Sequence, residues 1–285
     1  MRLKLAYSPC PNDTFAFHAM VHSLVDCEGL EFDVTLADVE QLNRGALNEE
    51  FDICKMSYHA FMMMADKYVM LRSGSALGYH NGPLLVAKRG SRLTKLNGEE
   101  LSELISNSSI AIPGEMTTGA LLLKIAFPEA KKTTPLLFSE IAEAVVSGRF
   151  EAGVLIHEGR FTYKERGLEL IMDLGENWHS ISSLPVPLGG IAMKRGIDRD
   201  TILKTGRVLK RSIQYAMDNP DKSGEYIACH AQEMDSGIQK KHIGLFVNDY
   251  TLDIGNEGER AVSELFKRLS DTNPQIIYRD KLFIL

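Results

Sequence analysis

Basic residues are in short supply. Lys and Arg number 32 against 38 Asp and Glu, a formal net charge of −6, and no basic stripe stands out. That argues against nucleic acid as a partner, because phosphate binding needs clustered cations. Cysteine is scarce and scattered. Cys10, Cys27, Cys54 and Cys229 form no CxxC pair, which leaves neither a disulfide framework nor a zinc signature. Long apolar runs are missing too, and none approaches the ~20 residues a membrane span requires. Met1-Arg2-Leu3-Lys4 leads straight into an alternating strand. It lacks the apolar stretch and small-residue cleavage site of an export signal, so a cytoplasmic location is expected. No GxGxxG, Walker A, GxSxG or HExxH pattern occurs. Nicotinamide, ATP and serine-hydrolase chemistry therefore lack their usual support.

What is present reads as an α/β protein. The 285 residues suggest about two domains. "RLKLAYS" alternates apolar and polar as a half-buried strand does. Asn12 or Asp13 can cap a helix through "TFAFHAMVHSL". "EFDVTLA", "FDICKMS" and "VMLRSGSAL" follow as strands, with helices at "DVEQLNRGALNE" and "YHAFMMMADKY" between them. Repeated strand–helix units favour a parallel-rich sheet. "GPLLVAKRG" at 82–90 resembles "LGGIAMKRG" at 188–196. The pair predicts the two crossings of a two-strand hinge, the alternative being that any two buried strands can end in Lys-Arg-Gly. The layout is then a discontinuous first lobe, 1–88 and 187–285, with 89–186 inserted as the second. After 196 the chain is mainly helical: "DRDTILKTGRVLKRSIQYAMD", then "NPDKSGEYIACHAQEM" from a cap at Asn219 with Pro220 first in the helix, and finally "NEGERAVSELFKRLSD".

Four stretches can carry chemistry. In "IPGEMTTGALLLK" a strand ends and a helix begins near Thr117. Helix N-termini carry unpaired amides and partial positive charge, so Thr117 and Thr118 stand where a carboxylate or phosphate fits, or where a plain N-cap belongs. In "FDICKMSYHAF", Lys55 and Ser57 lie at the carboxyl end of a strand, where α/β sheets bind ligands. The alternative is a Ser cap with a solvated Lys. If both helix starts faced one cleft, a small anion would be clamped between them. In "FEAGVLIHEGRFTY" an apolar strand, Ala152 to Ile156, delivers His157 to its carboxyl end, with Arg160 close behind. Its unperturbed pKa near ~6.5 suits a general base, although a lone histidine is more often structural. In "YSPCPNDTF", Cys10 just before a helix has the position of an activated thiol, but Pro11 holds it extended and cysteine is often a small buried hydrophobe. His18 and His22 stand i, i+4 on one helix without a third metal ligand, and no metal is expected.

The motifs "SPCPNDTF", "LADVEQLN", "KMSY", "LRSGSALG", "GPLLVAKRG", "PGEMTTGALLL", "EAGVLIHEGRFTY", "LPVPLGGI" and "EGERAV" occur in this order. Together, over essentially the whole chain, they resemble the 1,4-dihydroxy-6-naphthoate synthases of the futalosine route to menaquinone. "SPCPNDTF" and "IHEGRFTY" are the specific pieces. The resemblance implies a type II periplasmic-binding-protein fold: two α/β lobes, a two-strand hinge and the ligand in the cleft between them. It implies an intracellular enzyme that needs no cofactor and acts on a small-molecule carboxylate, with no nucleic acid or membrane as partner. The implied reaction converts cyclic dehypoxanthinyl futalosine to 1,4-dihydroxy-6-naphthoate with release of a sugar-derived fragment. A base takes a proton from the spiro sugar portion, carbon–carbon cleavage follows, and the aromatic product forms. The family's base passes to His157, and its substrate-binding stretches to Lys55, Met56 and Ser57 and to Thr117 and Thr118. Cys10, Asn12, Asn43, Arg72 and Arg160 are expected to line the cleft. Met56 and Met116 occupy positions that need no single residue type. Two alternatives share the fold: a non-catalytic solute-binding protein, and the chorismate dehydratase of the same pathway. The sequence carries no signature of an oligomeric state.

Overall fold

The computed structural model describes residues 1–231, 235–272, 276, 279 and 281–284. The chain divides into two compact units, Met1–Gly78 with Pro187–Leu285, and Tyr79–Val186. The strand at 84–88, expected in the first lobe as a hinge crossing, lies in the second unit. It pairs on both sides with strands of that unit, while the chain crosses between units near residues 78 and 187.

The first unit begins with β1 (Arg2–Tyr7), α1 (Pro11–Val21), β2 (Glu31–Leu36), α2 (Val39–Leu47), β3 (Ile53–Ser57), α3 (Tyr58–Met63), β4 (Tyr68–Met70) and β5 (Ala76–Gly78). The second holds β6 (Leu84–Lys88), α4 (Gly98–Asn107), β7 (Ile110–Ile112), α5 (Thr118–Ala126), β8 (Thr133–Pro135), α6 (Ile141–Val146), β9 (Ala152–Leu155), α7 (Gly159–Thr162), β10 (Leu168–Asp173) and α8 (Leu174–Ser182). The chain returns through β11 (Val186–Lys194) to α9 (Arg199–Asp218), α10 (Gly224–His230), α11 (Ser236–Phe246), α12 (Asp249–Leu252) and α13 (Gly255–Thr272). The end of the "HAQEM" helix expected after His230 lies outside the described residues.

In the first unit the sheet runs β2-β1-β3-β11-β4, with β5 also on β11. β1 is parallel to β2 and β3, and β11 is antiparallel to β3 and β4. β3 is buried along its whole length, as a central strand covered on both faces should be. Leu3, Leu5 and Tyr7 of β1 pack with Phe17 and Met20 of α1 and with Val208, Leu209 and Ile213 of α9. The second sheet runs β10-β6-β9-β7-β8. Its core joins Leu84 and Val86 of β6 to Ile141 and Val145 of α6. Among the described residues no helix is long and apolar enough to cross a membrane.

Three expected elements come out differently. α1 starts at Pro11 with Cys10 as N-cap, not at Asn12 or Asp13, because proline already holds the φ of a first helical residue and has no amide to leave unpaired. The Cys10 carbonyl accepts the Asp13 and Thr14 amides at 3.1 and 3.0 Å. The single strand expected over "VMLRSGSAL" is broken into β4 and β5 by a turn whose Gly74 has φ +90°. A Cβ there would lie 2.3 Å from Ile191 Cγ1, so the turn needs glycine for both conformation and space. The helix expected from Pro220 opens as a tight 3₁₀ turn, Pro220–Ser223, before α10.

Candidate active site

In the first unit the chemistry gathers where β1 and β3 end. Asp13, in the first turn of α1, is the hub. Its carboxylate accepts from Ser8 Oγ at 2.7 Å and from Asn12 Nδ2 at 2.9 Å, and it pairs with Lys55 Nζ at 2.9 Å. Asp13 is 4% exposed and Lys55 8%, so water screens this pair little. Lys55 Nζ also reaches the Gly74 carbonyl at 3.5 Å. Asn12 is tied down in turn, its Oδ1 lying 3.0 Å from His242 Nε2 of α11. A recess with room for about one water-sized group is lined here by Asn12, Asp13, Lys55, Ser75 and Thr251, among others.

Ser57 stands two residues beyond Lys55, on the same strand face. Asn43 of α2 grips it reciprocally. Asn43 Nδ2 donates to Ser57 Oγ at 3.1 Å, and the Ser57 amide donates to Asn43 Oδ1 at 3.0 Å. Met56 points the other way and is fully buried, so its side chain belongs to the core. Opposite Ser57 in the ladder is Gly189. A Cβ there would lie 2.7 Å from the Met56 carbonyl oxygen and 3.6 Å from Lys55 Cε, which accounts for the first glycine of "LGGI".

These contacts revise the expected anion clamp. Lys55 is already neutralised by Asp13, and α3, which Ser57 begins, has only six residues. This helix start presents no net positive cradle. Cys10 is 5% exposed and acts through its backbone as the cap of α1. Arg72 does not stand as a ligand arm. It donates to Asp253 at 2.9 Å and to Glu259, fastening the β4–β5 turn to the segment before α13 and to the first turns of α13 itself. Burial raises the Asp253 pKa, but hydrogen bonds from Arg72 and the Gly255 amide outweigh it and leave the carboxyl below its usual value.

In the second unit, α5 is the longer helix start. Thr117 is its N-cap, with Oγ1 donating to the Gly114 carbonyl at 2.8 Å and accepting from the Ala120 amide at 3.3 Å. Thr118 opens the helix proper and is buried. His157 follows β9, half-buried, with its ring edge-on to Phe138 at 4.9 Å between centroids. Its φ is +53°, a left-handed conformation that non-glycine residues seldom adopt and that concentrates at functional sites. Arg160 is committed nearby: it donates to Asp173 Oδ2 at 2.7 Å and to the Gly82 carbonyl. Asp173 caps α8 through the Gly175 and Glu176 amides. Arg160 thus braces the base of the loop that carries His157.

A family model described as menaquinone biosynthesis matches residues 3–271. The chain belongs to this family. It is 39% identical over 264 residues to a 1,4-dihydroxy-6-naphthoate synthase of Thermus thermophilus, covering 93% of this chain and 92% of the relative. It is 36% identical over 274 residues to the Streptomyces coelicolor enzyme of the same name, with the same shares covered. Protein AF1704 from Archaeoglobus fulgidus superposes with a TM-score of 0.86 at 32% identity, over 96% of this chain and 98% of that one. The Candida albicans CA3427 product, described as having the generic periplasmic binding protein fold, superposes with a TM-score of 0.67 at 15% identity, over 100% and 98%. That last likeness establishes the fold alone: this menaquinone biosynthesis protein is built on the periplasmic-binding-protein fold.

Asp13 is the member of the Lys55 cluster that sequence reasoning missed. It stood in view only as a helix cap. The signal that would have found it is a buried lysine in "CKMS" needing a carboxylate, with Asp13 in the first turn of the helix that follows the neighbouring strand.

Proposed function

We propose that this protein is a carbon–carbon lyase that converts cyclic dehypoxanthinyl futalosine to 1,4-dihydroxy-6-naphthoate. The observation that carries the reaction is the identity of 39%, over 93% of the chain, to a protein of that name. His157 is the general base. It takes the proton from the spiro sugar portion, carbon–carbon cleavage follows, and the naphthoate ring becomes aromatic. Its placement at the carboxyl end of β9 and its left-handed backbone support that role. The substrate carboxylate is held at the start of α5, beside Thr117 and Thr118, where the first-turn amides and the helix dipole favour negative charge. Lys55 and Ser57 contact the substrate from the first unit. The enzyme works in the cytoplasm on this small-molecule carboxylate, without a cofactor and without nucleic acid or membrane as partner.

The test is His157→Asn. Asparagine tolerates a left-handed backbone, so the loop keeps its shape while the base is lost. Turnover is expected to fall by about 10²–10⁴-fold with substrate affinity within a few-fold of wild type. A variant that turns over at the wild-type rate removes His157 from the chemistry.

A further inference from the structure

We infer that Lys55, Ser57 and Asp13 form a subsite for an uncharged, hydroxylated part of the substrate, the sugar-derived portion, and that none of them meets the carboxylate. This deepens the function proposed above and rests on it.

The donors and acceptors decide the matter. An ammonium has three N–H groups. Lys55 spends one on Asp13 at 2.9 Å and directs another at Gly74 O at 3.5 Å, which leaves a donor for a ligand. The Ser57 hydroxyl accepts from Asn43 and keeps its own proton to give. Asp13 supplies carboxylate oxygens with lone pairs to spare beyond their three partners. The Lys55 donor beside the Asp13 acceptor fits a hydroxyl group, which both accepts and donates, and Ser57, two residues along the same strand face, has a proton to give to a second polar group of the same fragment.

The charge decides against the alternative. A carboxylate brought to Lys55 would meet the Asp13 carboxylate directly behind it. Attraction to the one and repulsion by the other nearly cancel, while the incoming anion would have to leave water. The recess beside the pair admits about one water-sized group, a match for a hydroxyl and not for a carboxylate on an aromatic ring. α3 is too short to tip this balance.

The product and the substrate separate the two possibilities, because 1,4-dihydroxy-6-naphthoate keeps the carboxylate and has lost the sugar-derived fragment. The double variant Asp13→Asn/Lys55→Met removes both charges together, so no unpaired ion is left buried. Ser57→Ala is the second, smaller change. In each, KM for cyclic dehypoxanthinyl futalosine is expected to rise at least about tenfold, while the inhibition constant of the naphthoate product stays within about twofold. Equal weakening of both ligands would place the carboxylate at Lys55 and overturn the subsite. No change in either would remove these residues from the site and also overturn it. Those failures leave the proposed reaction standing, because wild-type protein still converts the substrate. Wild-type protein that makes no naphthoate refutes the reaction itself, and the subsite with it.

Discussion

Asp13 accepts three hydrogen bonds while nearly excluded from water, and that makes it a stability determinant. Removing one member of a buried ion pair leaves the other charge stranded. Asp13→Ala is therefore expected to lower unfolding free energy by about 3–5 kcal/mol, read from urea denaturation; a loss under about 1 kcal/mol would contradict the buried pairing. Cys10 makes the opposite case. It caps α1 through its carbonyl, which any residue in that conformation can do. Cys10→Ser should keep turnover within about threefold, and loss of chemistry in a folded, substrate-binding variant would reinstate the thiol. At this scale the sequence placed single residues on their elements better than it paired them. His157 was legible as a polar residue at a strand's end. The partner of Lys55 was not, because 42 residues and a whole strand separate Asp13 from it. Arg72 and Arg160 were expected to face ligand, and the structure finds both engaged with carboxylates.

At the scale of elements, close approach and charge pairing hold the parts in register. A Cβ on Gly82 would lie 2.3 Å from Gly175 Cα, so the segment before β6 and the start of α8 touch backbone to backbone. Gly82→Ala must push them apart, at about 1–3 kcal/mol, and should lower the melting temperature; an unchanged melt would show that the contact yields freely. In the first unit, Glu28 receives Arg207 Nε at 3.1 Å and also bonds Arg211, one turn further along α9. The Arg207 hydrogen bond, opposed by some desolvation and reinforced by Arg211, lowers the Glu28 pKa from 4.5 to about 2. The folded state therefore binds fewer protons than the unfolded state between those values. The stabilisation is present above pH 4.5 and is lost as pH falls toward 2. Glu28→Gln should flatten the acid limb of a melting-temperature profile across that window; an unchanged limb would show that the pair contributes nothing. Alternation made β1 readable and the repeated strand–helix order placed β2, α2 and α9, with Asp198 found as the cap of α9. The broken β4–β5 strand was unreadable, since only the side chain of Ile191, over a hundred residues away, shows why Gly74 must turn.

At the scale of the molecule, each α/β unit has its own sheet and core. The likeness of residues 82–90 to 188–196 suggested two crossings between lobes; the chain passes from unit to unit near residues 78 and 187, beside each stretch, and the two strands then join different sheets. The fold class was legible because strand–helix alternation persists along the chain, and the family because its motifs span the chain. Fold does not choose among activities. Solute-binding proteins share this architecture at 10% identity, as in the periplasmic aliphatic sulphonate binding protein SsuA of Escherichia coli, TM-score 0.66. The decisive measurement is incubation of the purified wild-type protein with cyclic dehypoxanthinyl futalosine, with no added cofactor, followed by absorbance and mass detection. The account predicts stoichiometric appearance of 1,4-dihydroxy-6-naphthoate. Tight binding of the substrate with no product formed would contradict it.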